Sequence, residues 1–125
     1  MIHLDTSFLI RALVHDTPAD KQLRQWLREG MPLGISTIVW AEFLCGPVAT
    51  REVDLAARVI PNQMAFESQD AALSARLFNL GGRRRGSLTD CMIAATAIRC
   101  DASLATANPV DFLKIESAGL KVIPL

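Results

Sequence analysis

The stretch MIHLDTSFLI, residues 1–10, sets an aspartate between two apolar runs. Residues 1–4 have the short apolar character of a buried strand. Residues 6–14 continue as a helix, and Asp5 stands where a cap for that helix belongs. A strand that passes straight into a helix opens an α/β unit, in which the chain returns to the sheet after each helix. A carboxylate at the carboxyl end of such a strand also occupies the place where open α/β sheets form their sites.

The same alternation runs through the chain. DTPADKQLRQWLREG predicts a helix with Asp16 or Thr17 as cap, Pro18 in its first turn, Leu23, Trp26 and Leu27 on its apolar face, and Gly30 as its stop. LGIS (33–36) is a second strand, TIVWAEFLCG a helix ended by Gly46 and Pro47, and 50–59 another helix. QMAFE (63–67) is a weaker third strand, and 69–80 a helix with Ala72, Ala75, Leu77 and Leu80 among its apolar positions. After the loop GGRRRG comes SLTDCMIAATAIRC, the clearest helix; 102–107 is a fourth strand, PVDFLKI one or two helical turns, and KVIPL a last edge strand. The order predicts one α/β domain over residues 1–125, with a central, mostly parallel sheet of about five strands and helices on both faces.

Composition narrows the function. A chain of 125 residues, 50% of them hydrophobic, is long enough to bury one core and is not of the disordered class. Thirteen basic and 13 acidic residues cancel, so any case for nucleic acid has to come from local clustering. Cys45, Cys91 and Cys100 are an odd number of thiols in apolar helical segments, at no metal-ligand spacing; they are expected as buried free thiols in a reducing cytoplasm. No secretory leader pattern and no apolar run near the ~18 residues of a membrane span is visible. His3, inside the first strand, is expected as a structural histidine with its hydrogen bonds satisfied. With neither histidine at a plausible catalytic position, histidine acid–base chemistry is disfavoured.

Four acids carry the chemical argument. Asp5, Asp90 and Asp111 fall after the first strand, in the first turn of the helix after the arginine loop, and after the fourth strand. Taken singly, each has a structural reading: Asp5 as a helix cap, Asp90 as the fourth place of the capping-box pattern SLTD with Ser87 as cap, Asp111 as a first-turn acid. Glu42 is different. Its neighbours at helical spacing are Ile38, Val39, Cys45 and Gly46, so it is expected on an apolar face, where an unpartnered carboxylate costs several kcal/mol or takes up a proton. If the four converge, pairs about 4 Å apart repel by ~4 kcal/mol at an effective dielectric near 20. A hard divalent cation with oxygen ligands, Mg²⁺ or Mn²⁺, answers that repulsion. Such a site suits attack by a metal-activated water on a phosphodiester.

The motifs LDTSFLI, ISTIVWAEFLCG, GSLTDCMIAATAI and LATANPVDF, in this order and spacing, resemble those of PIN domains, and among them the VapC toxins of bacterial toxin–antitoxin pairs. The resemblance covers essentially the whole chain. It implies a three-layer α/β/α PIN-like fold and a metal-dependent endoribonuclease acting on structured RNA. It further implies inhibition by a cognate antitoxin protein whose C-terminal segment occupies the cleft, and a homodimer. By motif, Asp5, Glu42 and Asp90 match the family's first three metal-binding acids, and Asp111 is the candidate for the less regular fourth. Asn108, in the same motif, is the alternative, as a residue that orients water or substrate; Thr6 matches the small residue that supports the site.

GGRRRG (81–86) places Arg83, Arg84 and Arg85 shortly before Asp90, where they either hold RNA phosphates or stand as a solvated loop at a helix end. Ser36 and Thr37 read as caps, and Trp26, Trp40 and Phe43 as core. An aspartate-phosphorylated domain is disfavoured, because position 7 is serine, position 4 is leucine, and LATANP offers no lysine. The remaining alternatives are a PIN nuclease that is not a toxin, and a PIN fold kept only to bind RNA or protein.

Overall fold

The computed structural model describes all 125 residues. Five parallel strands, β1 (Ile2–Leu4), β2 (Leu33–Ser36), β3 (Gln63–Met64), β4 (Ser103–Thr106) and β5 (Lys121–Pro124), form one sheet in the order β3-β2-β1-β4-β5. The helices are α1 (Thr6–Ala12), α2 (Pro18–Arg28), α3 (Thr37–Cys45), α4 (Thr50–Val59), α5 (Ser68–Leu80), α6 (Leu88–Arg99) and α7 (Leu113–Glu116). A 3₁₀ turn, Pro109–Phe112, precedes α7. From β1 the chain builds outward to β2 and β3, then crosses over to β4 on the other side of β1. Right-handed crossovers therefore put α1–α4 on one face and α5–α7 on the other, and the packing of α1 on α2 and α3, and of α5 on α6 and α7, agrees.

The change of direction leaves a crevice at the carboxyl ends of β1 and β4, the place where such sheets bind ligands. Ile2 pairs with Leu33 on one side and Ser103 on the other, and all three residues of β1 are buried. The core gathers Leu4, Phe8, Leu9, Ile35, Val39, Phe43, Leu77, Leu104 and Phe112 around the sheet. Phe8 stacks on Trp26 with centroids 5.5 Å apart, which ties α1 to α2, and Trp40 packs partly buried beside Phe43. No helix is long and apolar enough to cross a membrane.

Several sequence expectations need correction. Leu27 is exposed, because Leu23 and Trp26 already fill the face of α2 that meets the core. On α5 the expected apolar positions Ala72, Ala75 and Leu80 face solvent, while Asp70, Ser74 and Leu77 are buried. The buried Asp70 is explained by its partners: it accepts from the Glu67 N–H at 2.9 Å and pairs with Arg99 Nε at 2.8 Å. Arg99 also donates to the Ala65 carbonyl at 2.8 Å, so one guanidinium locks the end of α6 to the start of α5. Cys45 is exposed and Cys100 half-buried; only Cys91 is a buried thiol.

His3 is buried but not satisfied, since its Nε2 has no hydrogen-bond partner. Burial, helped by the positive N-terminus and Arg99, lowers its pKa from 6.5 to about 4. A base neutral in the folded state and protonated in the unfolded one adds stability that is present above pH 6.5 and lost as pH falls through about 4. His3→Val is expected to lose less stability than the parent between those values, read as the shift of urea midpoint with pH. Asp70→Asn is expected to cost about 2 kcal/mol in urea unfolding with an unchanged m-value, because Arg99 is left without its carboxylate.

Candidate active site

Asp5 is still in the sheet by its backbone and already in the helix by its side chain. Its N–H donates to the Ala105 carbonyl at 3.0 Å, continuing the β1–β4 ladder. Its Oδ1 accepts from the Phe8 N–H at 2.8 Å, capping α1, and from Ser7 Oγ at 2.7 Å. Its Oδ2 accepts from Thr106 Oγ1 at 2.5 Å. Behind these hydroxyls stands a second row of donors: Ala107 N–H to Ser7 Oγ at 3.1 Å, and Asn108 N–H to Thr106 Oγ1 at 2.9 Å. Capping and a place in the cleft are therefore not alternatives for Asp5. Its pKa is raised by burial, against the pull of the Thr106, Phe8 and Ser7 hydrogen bonds, with the Asp111 charge adding to the rise.

Glu42 is on α3, but exposed rather than buried, and so are Ala41, Leu44 and Cys45 beside it. The inward face of α3 is Val39 and Phe43. The apolar surroundings read from its helical spacing are thus partly an uncovered surface. Thr6 Oγ1 donates to Glu42 Oε1 at 2.6 Å. Thr6 supports Glu42, not Asp5; Ser7 and Thr106 hold Asp5.

Asp90 lies in the first turn of α6. Ser87 does not cap this helix: its backbone is helical (φ −90°, ψ −5°), and its Oγ donates to the Arg84 carbonyl at 2.6 Å. The capping box read from SLTD is not formed, which leaves the Asp90 carboxylate uncommitted. Its pKa is pushed up to about 6, first by burial and then by the charges of Asp111, Glu42 and Asp5, with Arg84 pulling the other way. Asp111, half-buried in the 3₁₀ turn, contributes the largest of those three charges. Four carboxylates from four separate segments thus share one field.

None of the four is ion-paired. The ion pairs of the molecule join Asp20 to His15 and Arg24, Arg99 to Glu67 and Asp70, and Lys121 to Asp101. No three of the cleft's acids stand close enough together to grip an ion directly as a ready-made cage. The three arginines of the loop also part company. Arg83, at φ 58°, turns back onto α5, donating to Asn79 Oδ1 at 2.9 Å and lying 6.0 Å from the Phe78 ring centroid. Only Arg84 is felt by Asp90, and Arg85 joins no ion pair. Asn108 is exposed at the rim, with its backbone bound to Thr106.

Ser7 and Thr106 were missed from the sequence. A faint signal existed: Thr106 ends the strand next to the one that ends at Asp5, and small hydroxyl residues at strand ends suit hydrogen bonding to a neighbouring carboxylate. The pairing of β1 with β4, 101 positions apart at this contact, is what made it visible.

A family model described as the PIN domain matches residues 2–117. No curated protein matches closely enough to count as a relative. Among solved structures the chain is similar to VapBC2 from Rickettsia felis bound to a promoter DNA fragment, at TM-score 0.78 and 20% identity, covering 100% of this chain and 99% of that one. A toxin–antitoxin complex from Klebsiella pneumoniae gives TM-score 0.75 at 25% identity, covering 98% and 96%. VapC20 of Mycobacterium tuberculosis, described as a sarcin–ricin loop cleaving toxin, gives 0.66 at 15%, covering 96% of each chain.

Burial and the shared field together have a cost to the fold. With a folded pKa of about 6 against 3.8 unfolded, Asp90 favours folding below pH 3.8 and loses that contribution as pH rises through 6. In EDTA-containing buffer at pH 8, Asp90→Asn is expected to stabilise the chain by about 1 kcal/mol, the half-buried position being partly screened. Calorimetry across pH 8 to 4 checks it: the advantage shrinks to nothing on acidification.

Proposed function

The chain belongs to the PIN domain family, and we propose that within it this protein is a divalent-metal-dependent endoribonuclease, the toxin of a toxin–antitoxin pair. One observation carries the reading: Asp5, Glu42, Asp90 and Asp111 share one field at the switch point of the sheet, with no cation paired to any of them. The donor set fits Mg²⁺ or Mn²⁺. It is all carboxylate oxygen, the preference of hard cations, and Asp90 and Asp111 accept no hydrogen bond that would compete. These ions commonly bind through one or two carboxylates with waters completing the shell, which suits acids that share a cleft without forming a closed cage. A cation held there would lend the site an acidified water and charge neutralisation at the phosphate.

The chain's own residues do the rest. Asp90 and Asp111, with Glu42 and Asp5, would hold the cation, part of them through its waters. Thr6 keeps the Glu42 carboxylate turned toward the cleft; Ser7 and Thr106 keep that of Asp5 in place. Asn108 presents an amide at the rim to orient water or substrate, and Arg84 offers a phosphate a cation where the acids would otherwise repel it. RNA as substrate, an antitoxin as inhibitor and a homodimer as assembly are supported by the motif resemblance. The first two are also supported by the Mycobacterium tuberculosis and Klebsiella pneumoniae proteins to which the chain is similar.

In purified protein, Asp5→Ala and Asp90→Asn are expected to abolish Mg²⁺-supported RNA cleavage while leaving the circular dichroism spectrum unchanged. Thr106→Val, which removes only a support, is expected to cost about 10- to 100-fold. Cleavage that persists in excess EDTA, or in either acid variant, would falsify the reading.

A further inference from the structure

Beside the acidic cleft lies a cavity of about 450 Å³, bounded by the C-terminal end of α5, the N-terminal part of α6 and the segment from Val110 to Ile115. Leu77, Val110, Leu113 and Ile115 make its apolar wall, and Asp111 belongs to both cavity and cleft. Val110 and Leu113 are 69% and 57% exposed, so apolar surface at the mouth has nothing covering it. Arg84 and Lys114 also line the cavity, and neither is ion-paired with any carboxylate. The Lys114 amine sits over the Gly82 turn, 3.8 Å from where a β-carbon on that glycine would be.

An apolar wall next to two uncommitted cations asks for a ligand with an apolar face and an anionic group. The volume falls in the range of small-ligand pockets. A peptide side chain could cover the wall but would leave both cations unpaired unless acidic; a nucleotide brings face and charge together in each unit. A base stacked in a duplex cannot turn into a pocket, whereas one in a loop or bulge can. We propose that this cavity receives one unpaired nucleotide of the RNA adjoining the cut phosphate, with its base on the apolar wall and its phosphate on Arg84 and Lys114. The proposal rests on the ribonuclease reading. It makes the enzyme select for an unstacked base at a fixed step from the cut, rather than for helix shape alone.

The test uses the full chain carrying Asp90→Asn, so that bound RNA survives, with a hairpin RNA containing an unpaired loop and a fully paired duplex of the same length. Fluorescence anisotropy is expected to show the hairpin binding more tightly. Leu113→Glu, at an exposed position that tolerates the change, should weaken the hairpin several-fold and the duplex little. An abasic residue in the loop should weaken binding to the Asp90→Asn chain but add nothing once Leu113→Glu is present. Arg84→Ala and Lys114→Ala should each reduce the slope of log affinity against log salt by about 0.7. In the chain with Asp90 intact, the same substitutions should slow hairpin cleavage. If that chain cleaves the hairpin and the Leu113, Arg84 and Lys114 variants cleave it equally well, the cavity proposal is overturned and the ribonuclease reading stands. If the variants weaken only antitoxin binding, the occupant is a protein segment and the proposal is likewise overturned. If the chain with Asp90 intact cleaves no RNA at all, the ribonuclease reading falls and takes the proposal with it.

Discussion

The hydrogen bonds that hold the Asp5 carboxylate between β1 and β4 are the constraint on which the cleft depends. A buried carboxylate is costly unless its oxygens are satisfied, and Asp5 receives donors from Ser7, Phe8 and Thr106. These donors come from both sides of the switch point. Ser7 and Phe8 are local to α1, whereas the Thr106 donor exists only because β4, after a crossover of nearly the whole chain, lies parallel to β1. The backbone donors behind them, Ala107 and Asn108, belong to the segment that leads on to Asp111. One network thus positions the first acid and anchors the approach to the last.

Stability and site are built in different places. The Asp70–Arg99 pair satisfies its buried carboxylate within the protein, joins two helices and faces none of the cleft acids. The cleft does the reverse, gathering carboxylates of which none is ion-paired. Burial first, and then the charges of Asp111, Glu42 and Asp5, raise the pKa of Asp90.

The arginine loop shows the same division at the scale of adjacent residues. Left-handed backbone at Arg83, between Gly82 and Gly86 of positive φ, sends its side chain back to Asn79 and Phe78. The next residue lines the cavity and is felt by Asp90. Three arginines in a row therefore have three surroundings. A loop's charge cannot be assigned to a ligand by counting its residues.

Much of the architecture was legible because it rests on short-range patterns. Strand-to-helix order, the cap at Asp5, a cap at Asp16 or Thr17 (Thr17 in the structure), and the position of each acid relative to a strand end all follow from neighbours a few residues apart. What failed was burial. Glu42 and Cys45 looked enclosed because their helical neighbours are apolar, yet α3 turns that strip outward. The expected apolar positions Ala72, Ala75 and Leu80 face outward instead, and Asp70 takes an inward place because Arg99, 29 residues away, satisfies its carboxylate. The role of Thr106 and the unsatisfied state of His3 are not visible in local sequence, because strand pairing decides what a side chain meets. The kinds of element, their order and the set of acids follow from the sequence alone. Which hydroxyl holds which carboxylate, which arginine reaches the cleft and which apolar face stays open depend on how distant segments pack. Local periodicity records where a side chain points along its own element, and contact depends on what the rest of the chain brings to meet it.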